Sequence, residues 1–171
     1  MRYIYHLVPP AMKGTMLYPL NELKELFPEI YAAEVAKYRG REQKLNSRIP
    51  MLGNCLWNDV LFLTAVQPVE FRKAYTSVVR TLRKFRYFQI PIDFLDPTRM
   101  IVVKQLPVGQ TREYEKFDRC RLEHYATIPS ETFRHWQEAF VQGNRPFLYL
   151  YIPHILYRGT IDVSNVSIVE A

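Results

Sequence analysis

The chain has 171 residues, a formal net charge of +6 and a sequence pI near 9.3. That length is sufficient to bury the core of one domain without disulfides or a structural metal. Cys55 and Cys120 have no CxxC spacing, which argues against a zinc site and against a disulfide framework. The opening MRYIYHLVPP has no apolar segment of signal-peptide length, and no run reaches about 18 apolar residues. We therefore expect a cytoplasmic protein that does not span a membrane.

The first part of the chain predicts one strand followed by two helices. Residues 2–8 are rich in Tyr and Ile and stop at two prolines, which is typical of a strand. Pro19 begins the first helical pattern, which continues as LNELKELF. Pro28 begins the second, which continues as EIYAAEVAKYRG and is closed by Gly40. Residues 41–48, REQKLNSR, form a polar connection to the next segment.

Residues 49–68, IPMLGNCLWNDVLFLTAVQP, are the longest largely apolar run in the chain. They predict a buried strand over residues 59–66 that is entered through the polar corner Trp57-Asn58-Asp59. Two interpretations of this corner stay open. Asn58 and Asp59 shape a turn, as these residue types often do, or Asn58 contacts a ligand.

Residues 68–86 predict a third helix, begun by Pro68, with a cluster of cations. These cations are Arg72, Lys73, Arg80, Arg83, Lys84 and Arg86. One interpretation is that Arg80, Arg83 and Lys84 bind nucleic acid, because Lys and Arg neutralise phosphates. The other is that the cluster is the solvated face of a surface helix.

The second half of the chain predicts further strands and one more helix. Strands are expected over residues 86–92, 100–106, 147–152, about 159–163 and 166–169, with a charged loop over residues 107–122. Ser130 is the expected N-cap of the fourth helix, and Gly143 its end. The pattern predicts a single α+β domain with a mixed or mostly antiparallel sheet and about four helices.

Standard catalytic motifs do not occur in the sequence. It has no GxSxG, no glycine-rich phosphate loop and no histidine pair at helical spacing. His6 and His154 lie near predicted strand ends in apolar surroundings, where a buried polar group needs a protein or a ligand partner. Arg39, Arg41 and Arg48 could hold an anion, although exposed loop arginines more often have no specific partner.

Several stretches carry a resemblance to other proteins. RYIYHLVP, KYRGRE, IPMLGNCLWNDVLFL and IPHILYRGTIDVS resemble a group of small uncharacterised bacterial proteins. More remotely, Tyr5-His6, the following Gly14 and the late Ile-Pro strand exit look like the layout of the ADP-ribosyltransferase-like fold. This likeness implies NAD as cofactor, His6 beside the nicotinamide-side ribose, and Tyr5 or Tyr18 lining the cleft. The family's catalytic Glu has no match, since Arg145-Pro146-Phe147 stands at its expected place.

Three functional hypotheses follow. The first is an NAD-binding or ADP-ribosyltransferase-like protein acting on a nucleic-acid or protein acceptor, whose cleft is formed by His6, Tyr18, Trp57, Asn58 and His154. The second is a non-enzymatic module that binds nucleic acid through the basic helix. The third is a regulatory protein that binds a partner. Convergence of His6, Asn58 and His154 on one cleft would favour the first hypothesis.

Overall fold

The computed structural model describes residues 2–79, 84–104, 106–107 and 110–171. The strands are β1 (Tyr3–Leu7), β2 (Met16–Leu17), β3 (Arg48–Ile49), β4 (Cys55–Leu56), β5 (Val60–Leu63), β6 (Arg86–Pro91), β7 (Met100–Lys104), β8 (Tyr114–Lys116), β9 (Pro153–Arg158), β10 (Ile161–Asp162) and β11 (Ser167–Glu170). The helices are α1 (Leu20–Leu26), α2 (Pro28–Ala36), α3 (Pro68–Val78), the single turn α4 (Leu122–Tyr125) and α5 (Ser130–Val141). Short 3₁₀ turns, among them Glu42–Lys44 and Trp57–Asp59, connect them.

The two larger sheets meet along the chain's first strand. In one sheet β6 lies between β1 and β11, and in the other the order is β5-β9-β7-β8. Every described strand pair is antiparallel. Tyr5 on β1 and Thr64 after β5 exchange two backbone hydrogen bonds, of 2.8 and 2.9 Å, which join the sheets. The α+β class with an antiparallel arrangement and four helices of seven residues or more is confirmed.

The central run folds as a turn followed by a buried strand. Val60, Leu61 and Leu63 are each at most 5% exposed, so β5 is covered although it is shorter than the expected 59–66. Asp59 belongs to the preceding 3₁₀ turn instead, where its carboxylate accepts the Leu56 amide at 2.7 Å. The polar corner is therefore a local turn, and the apolar strand begins directly after it.

The third helix is shorter than the sequence pattern predicts. It ends at Val78 because Val79 adopts an extended backbone (φ −116°, ψ 107°), and Arg86 already belongs to β6. A continuous basic helix over residues 68–86 is therefore wrong. Arg80 and Arg83 lie outside the residues that the structure describes, and the side chain of Lys84 is exposed.

Residues 147–152 form turns and not the expected strand. Their carbonyls are paired with side chains of α5: Trp136 Nε1 donates to the Leu148 oxygen at 3.1 Å, and Thr132 Oγ1 donates to the Leu150 oxygen at 2.8 Å. Pro153 then begins β9, because the first position of a strand tolerates a residue without an N–H group. This places His154 inside a strand and not after one.

Two further expectations need correction. Ser130 is the first helical residue of α5 and no side chain caps this helix, since the flanking residue is Pro129. Within residues 107–122, expected to be a loop, β8 pairs with β7 at the sheet edge.

No helix among the described residues has the length and hydropathy needed to cross a bilayer.

Candidate functional site

A first cavity of about 190 Å³ opens between β1, β5 and the helices α1 and α2. His6 of β1 and Tyr18, just after β2, both line it, as the sequence hypothesis expects. Phe27 lies in its wall, with its ring centroid 6.1 Å from that of Tyr18. Because β1 runs beside β5, His6 is brought to the same cavity as Phe62.

A second cavity of about 340 Å³ lies on the other side of Phe62. Trp57 and His154 line it, together with the aromatic residues Phe147 and Tyr149. The Trp57 and Phe62 ring centroids are 4.9 Å apart, and those of Phe62 and His154 are 6.4 Å apart. Phe62 therefore contributes to one continuous aromatic floor.

The two cavities are neighbouring parts of one groove. Glu34, Tyr38 and Phe62 line both of them. Burial raises the pKa of the Tyr38 phenol, and the neighbouring Trp57 indole opposes this shift only in part. Together the cavities fall within the range of about 300 to 1,000 Å³ that is usual for small-molecule sites.

His6 has a buried ring nitrogen, Nδ1, for which the described residues supply no hydrogen-bond partner. Burial lowers the pKa of His6 to about 4, and the Leu7 backbone opposes that shift only in part. The imidazole is therefore neutral at neutral pH, when one ring nitrogen donates and the other accepts. A buried polar atom without a partner is uncommon.

His154 has a defined tautomer. Its Nδ1 lies 3.0 Å from the Ile152 carbonyl oxygen, which can only accept, so Nδ1 carries the proton. Nε2 is then a hydrogen-bond acceptor. Burial lowers the pKa of His154 and outweighs the effect of the Ile152 carbonyl, which keeps the ring neutral. His154 can thus accept a hydrogen bond from a ligand hydroxyl in the second cavity.

Tyr149 fixes the base of the second cavity. Its hydroxyl lies 2.9 Å from the hydroxyl of Tyr87, and its ring stacks on Phe71 at 4.6 Å. Burial raises the pKa of Tyr149 well above its ordinary value, so the phenol stays protonated. Its ring also meets the edge of His154 at 5.7 Å. These contacts hold the His154 ring in place.

Asn58 does not line either part of the groove. It is 8% exposed, and its Nδ2 donates to the side-chain oxygen of Asn21 at 2.6 Å. Asn21 in turn donates to the carboxylate of Asp59. Asn58 therefore ties α1 to the Trp57–Asp59 turn, while its Oδ1 is buried without a partner among the described residues, and its role as a cofactor contact stays a prediction.

Most of the groove's charged wall was not predicted from the sequence. Glu34, Lys37, Tyr38, Arg41 and Lys44 line the second cavity, and their spacing keeps them on one face of α2 and the turns that follow it. Glu34 is the one acidic residue among the described residues that line either cavity, and its carboxylate pairs with Lys37 Nζ at 2.5 Å. Marking the residues at intervals of three and four from Glu34 in the sequence would have identified this face.

The remaining candidates lie elsewhere. Arg39 is exposed outside the groove, and Arg48 donates to the Asn54 carbonyl at 3.0 Å. On α3, Lys73 pairs with Glu70 at 2.8 Å, and the Nη1 atom of Arg72 is buried without a partner. The described part of α3 therefore presents few cations to a nucleic acid.

Comparisons with known proteins identify no relative. No family model, no curated protein and no solved structure matches this chain. Among the residues that the structure describes, no group of His, Cys, Asp or Glu side chains has the arrangement of a metal site. The function must therefore be argued from the groove alone.

Proposed function

We propose that this protein binds NAD in the groove formed by the two cavities. The observation that carries the proposal is that four of the five residues expected in the cofactor cleft line it. His6 and Tyr18 line the first cavity, and Trp57 and His154 line the second. A ligand that spans both cavities is elongated and meets aromatic side chains in each of them, which suits a dinucleotide with a ring system at each end.

The polar groups of the groove support this ligand class. Two neutral histidines can exchange hydrogen bonds with ribose hydroxyls, which both donate and accept. The aromatic rings of Tyr18, Tyr38, Trp57 and Phe147 offer faces or edges to heterocyclic bases. Small-molecule sites typically combine such apolar walls with a few placed polar groups.

Activity as an ADP-ribosyltransferase-like enzyme is the further part of the proposal. Such a reaction breaks the bond between the ribose C1′ and the nicotinamide nitrogen, and nicotinamide leaves with the bonding electron pair. Water or another acceptor forms the new bond to C1′ and gives up a proton to a base. Glu34 is the candidate base for that proton, because it lines both cavities. Asp162 and Glu170, the late acids of the sequence, do not line the groove.

Calorimetric titration of NAD into the parent protein and into His6→Leu tests the proposal. Leucine keeps an apolar side chain at this buried position and removes both ring nitrogens. We expect the parent to bind NAD and the variant to bind it about tenfold more weakly. This change corresponds to the loss of one hydrogen bond of about 1.4 kcal/mol. His124→Leu is the matched control, because His124 is exposed and does not line the groove.

Melting temperatures of the same samples at pH 7.5 separate a ligand contact from a core residue. The folded protein loses no hydrogen bond to Nδ1 in His6→Leu, so its melting temperature should stay close to that of the parent. Absence of NAD binding by the parent, or a large loss of stability with unchanged affinity, contradicts the proposal. Release of nicotinamide from NAD by the parent would extend it from binding to catalysis.

A further inference from the structure

Positive charge in the second cavity exceeds what its acidic residue can neutralise. Glu34 is paired with Lys37 at the rim. Arg41 and Lys44, both half-buried, line the same cavity and have no salt bridge within the described part of the chain. Two cations are thus directed to one small cavity without a counter-charge from the protein.

The guanidinium of Arg41 is already held in position. Its Nη2 donates to the Lys37 carbonyl at 2.8 Å, and its central carbon lies 5.2 Å from the centroid of the Phe147 ring. The same group lies 5.9 Å from the Tyr38 ring. A guanidinium has five N–H donors, so most of them remain available after this one bond. A donor group fixed in this way loses little entropy when it binds an anion.

The ammonium group of Lys44 lies close to other positively charged side chains. Burial lowers its pKa, and the nearby guanidinium groups of Arg112 and Arg41 lower it further. Arg112 itself lies over the Trp57 ring, 4.2 Å from its centroid. Like charges held close together raise the free energy of the empty site, and an anion placed between them would remove that cost.

We propose that Arg41 and Lys44 form a phosphoryl-binding subsite, and that the second cavity takes the phosphate-bearing nucleoside part of the ligand. This inference deepens the proposed function and rests on it, because it assigns an orientation to the same groove. The nucleotide's base packs against the aromatic wall of the second cavity, and its phosphates meet the two cations. The first cavity, whose lining is mostly apolar and includes a neutral histidine, takes the nicotinamide-ribose end.

A free nucleotide fits this subsite better than a nucleic-acid strand. The cations lie within a cavity of about 340 Å³ whose walls are aromatic. Binding a strand without sequence preference needs a positively charged groove that follows several phosphates. Arg39, the neighbouring cation of the same segment, is exposed outside the cavity and does not extend such a track.

Titration of ADP, adenosine, pyrophosphate and NAD into the parent, Lys44→Gln and Arg39→Gln tests the subsite. Both variants lose one charge within the same segment, but only Lys44 lines the cavity. We expect the parent to bind ADP at least about tenfold more tightly than adenosine, because charge-assisted hydrogen bonds are the stronger ones. Lys44→Gln should weaken ADP and NAD about tenfold and leave adenosine unchanged, and Arg39→Gln should change none of the affinities.

The outcomes separate this inference from the proposed function. Binding of NAD that Lys44→Gln does not weaken overturns the subsite and leaves the NAD proposal intact. Binding of ADP and pyrophosphate without binding of NAD supports the subsite and overturns the NAD proposal. Binding of none of the four ligands overturns both. Displacement of ADP by a single-stranded oligonucleotide, whose affinity falls with salt as steeply as contacts to several phosphates require, would overturn the nucleotide assignment. The ligand would then be a nucleic-acid backbone.

Discussion

The two halves of the groove are built from different kinds of structure. One wall of the first cavity is formed by α1 and α2, helices in which no residue is fully buried. The floor of the second cavity is formed by Trp57, 3% exposed, and by Tyr149, which is bonded to Tyr87 and stacked on Phe71. Regions with few buried apolar contacts open locally at low free energy. The second half is thus a rigid platform and the first half its adaptable side.

The two histidines of the groove also differ in how firmly the protein holds them. His154 donates a hydrogen bond to the Ile152 carbonyl, which fixes both its tautomer and its orientation. His6 has a buried Nδ1 without any partner. Satisfied polar groups stabilise a fold, whereas an unsatisfied buried one costs free energy. The His154 ring is therefore held by a hydrogen bond that Nδ1 of His6 lacks.

Alanine substitutions of one aromatic residue in each half give the largest expected effect. Trp57 belongs to a core cluster with Ile49, Leu52 and Leu156, so Trp57→Ala should lower the free energy of unfolding by about 3 to 5 kcal/mol. Tyr18 is half-buried, and Tyr18→Ala should cost about 1 kcal/mol. Urea denaturation measures both values. Equal losses would mean that the halves do not differ in how they are anchored.

The pH dependence of stability gives the next effect and tests His6 directly. The pKa of His6 is about 4 in the folded protein, below its ordinary 6.5, so the unfolded chain binds the proton more readily. Stability is therefore fully present above pH 6.5 and falls as the pH is lowered from 6.5 towards 4. The loss attributable to His6 is about 3 kcal/mol, at 1.36 kcal/mol for each unit of difference in pKa. His154, whose pKa burial also lowers, contributes in the same direction.

His6→Leu separates the two contributions. Urea denaturation at pH 7.5 and at several values down to pH 4 should show a flatter decline for this variant than for the parent. His124→Leu, at an exposed position, should follow the parent curve. Identical curves for the parent and His6→Leu would mean that His6 is protonated in the folded protein and is not the buried neutral group.

Local signals in the sequence predicted much of the fold. Pro19, Pro28 and Pro68 mark the starts of three helices because proline fixes a backbone angle that suits a first helical turn. The end of α3 was not predicted, since the apolar pattern continues past Val78 where the backbone becomes extended. The strand expected over residues 147–152 failed because side chains of α5 bind the carbonyls there, and such a long-range pairing has no local signal.

The candidate site was predicted only in part for the same reason. His6 and His154 were found because they are polar residues in apolar stretches. Asn58 has the same local signal, but its partner Asn21 is 37 residues away and no pattern within the central run shows it. Arg41 was named only as one of three arginines that could hold an anion, and Lys44 only as part of a polar connection, because their role depends on where the turns after α2 place them against Trp57 and Phe147.

Substitution of His154 by Phe gives the smallest expected effect and tests the rigid half. Phenylalanine keeps an aromatic ring between Phe62 and Tyr149 and removes both nitrogens. The Ile152 carbonyl loses its donor, which should lower the free energy of unfolding by about 1 kcal/mol. The ligand loses its acceptor at Nε2, and NAD affinity should fall about fivefold, equivalent to about 1 kcal/mol. Calorimetry and urea denaturation on one preparation measure the two effects, with His124→Phe as control. A loss of stability with full NAD affinity would make His154 a core residue only, and the adaptable half would then carry the ligand's polar contacts alone.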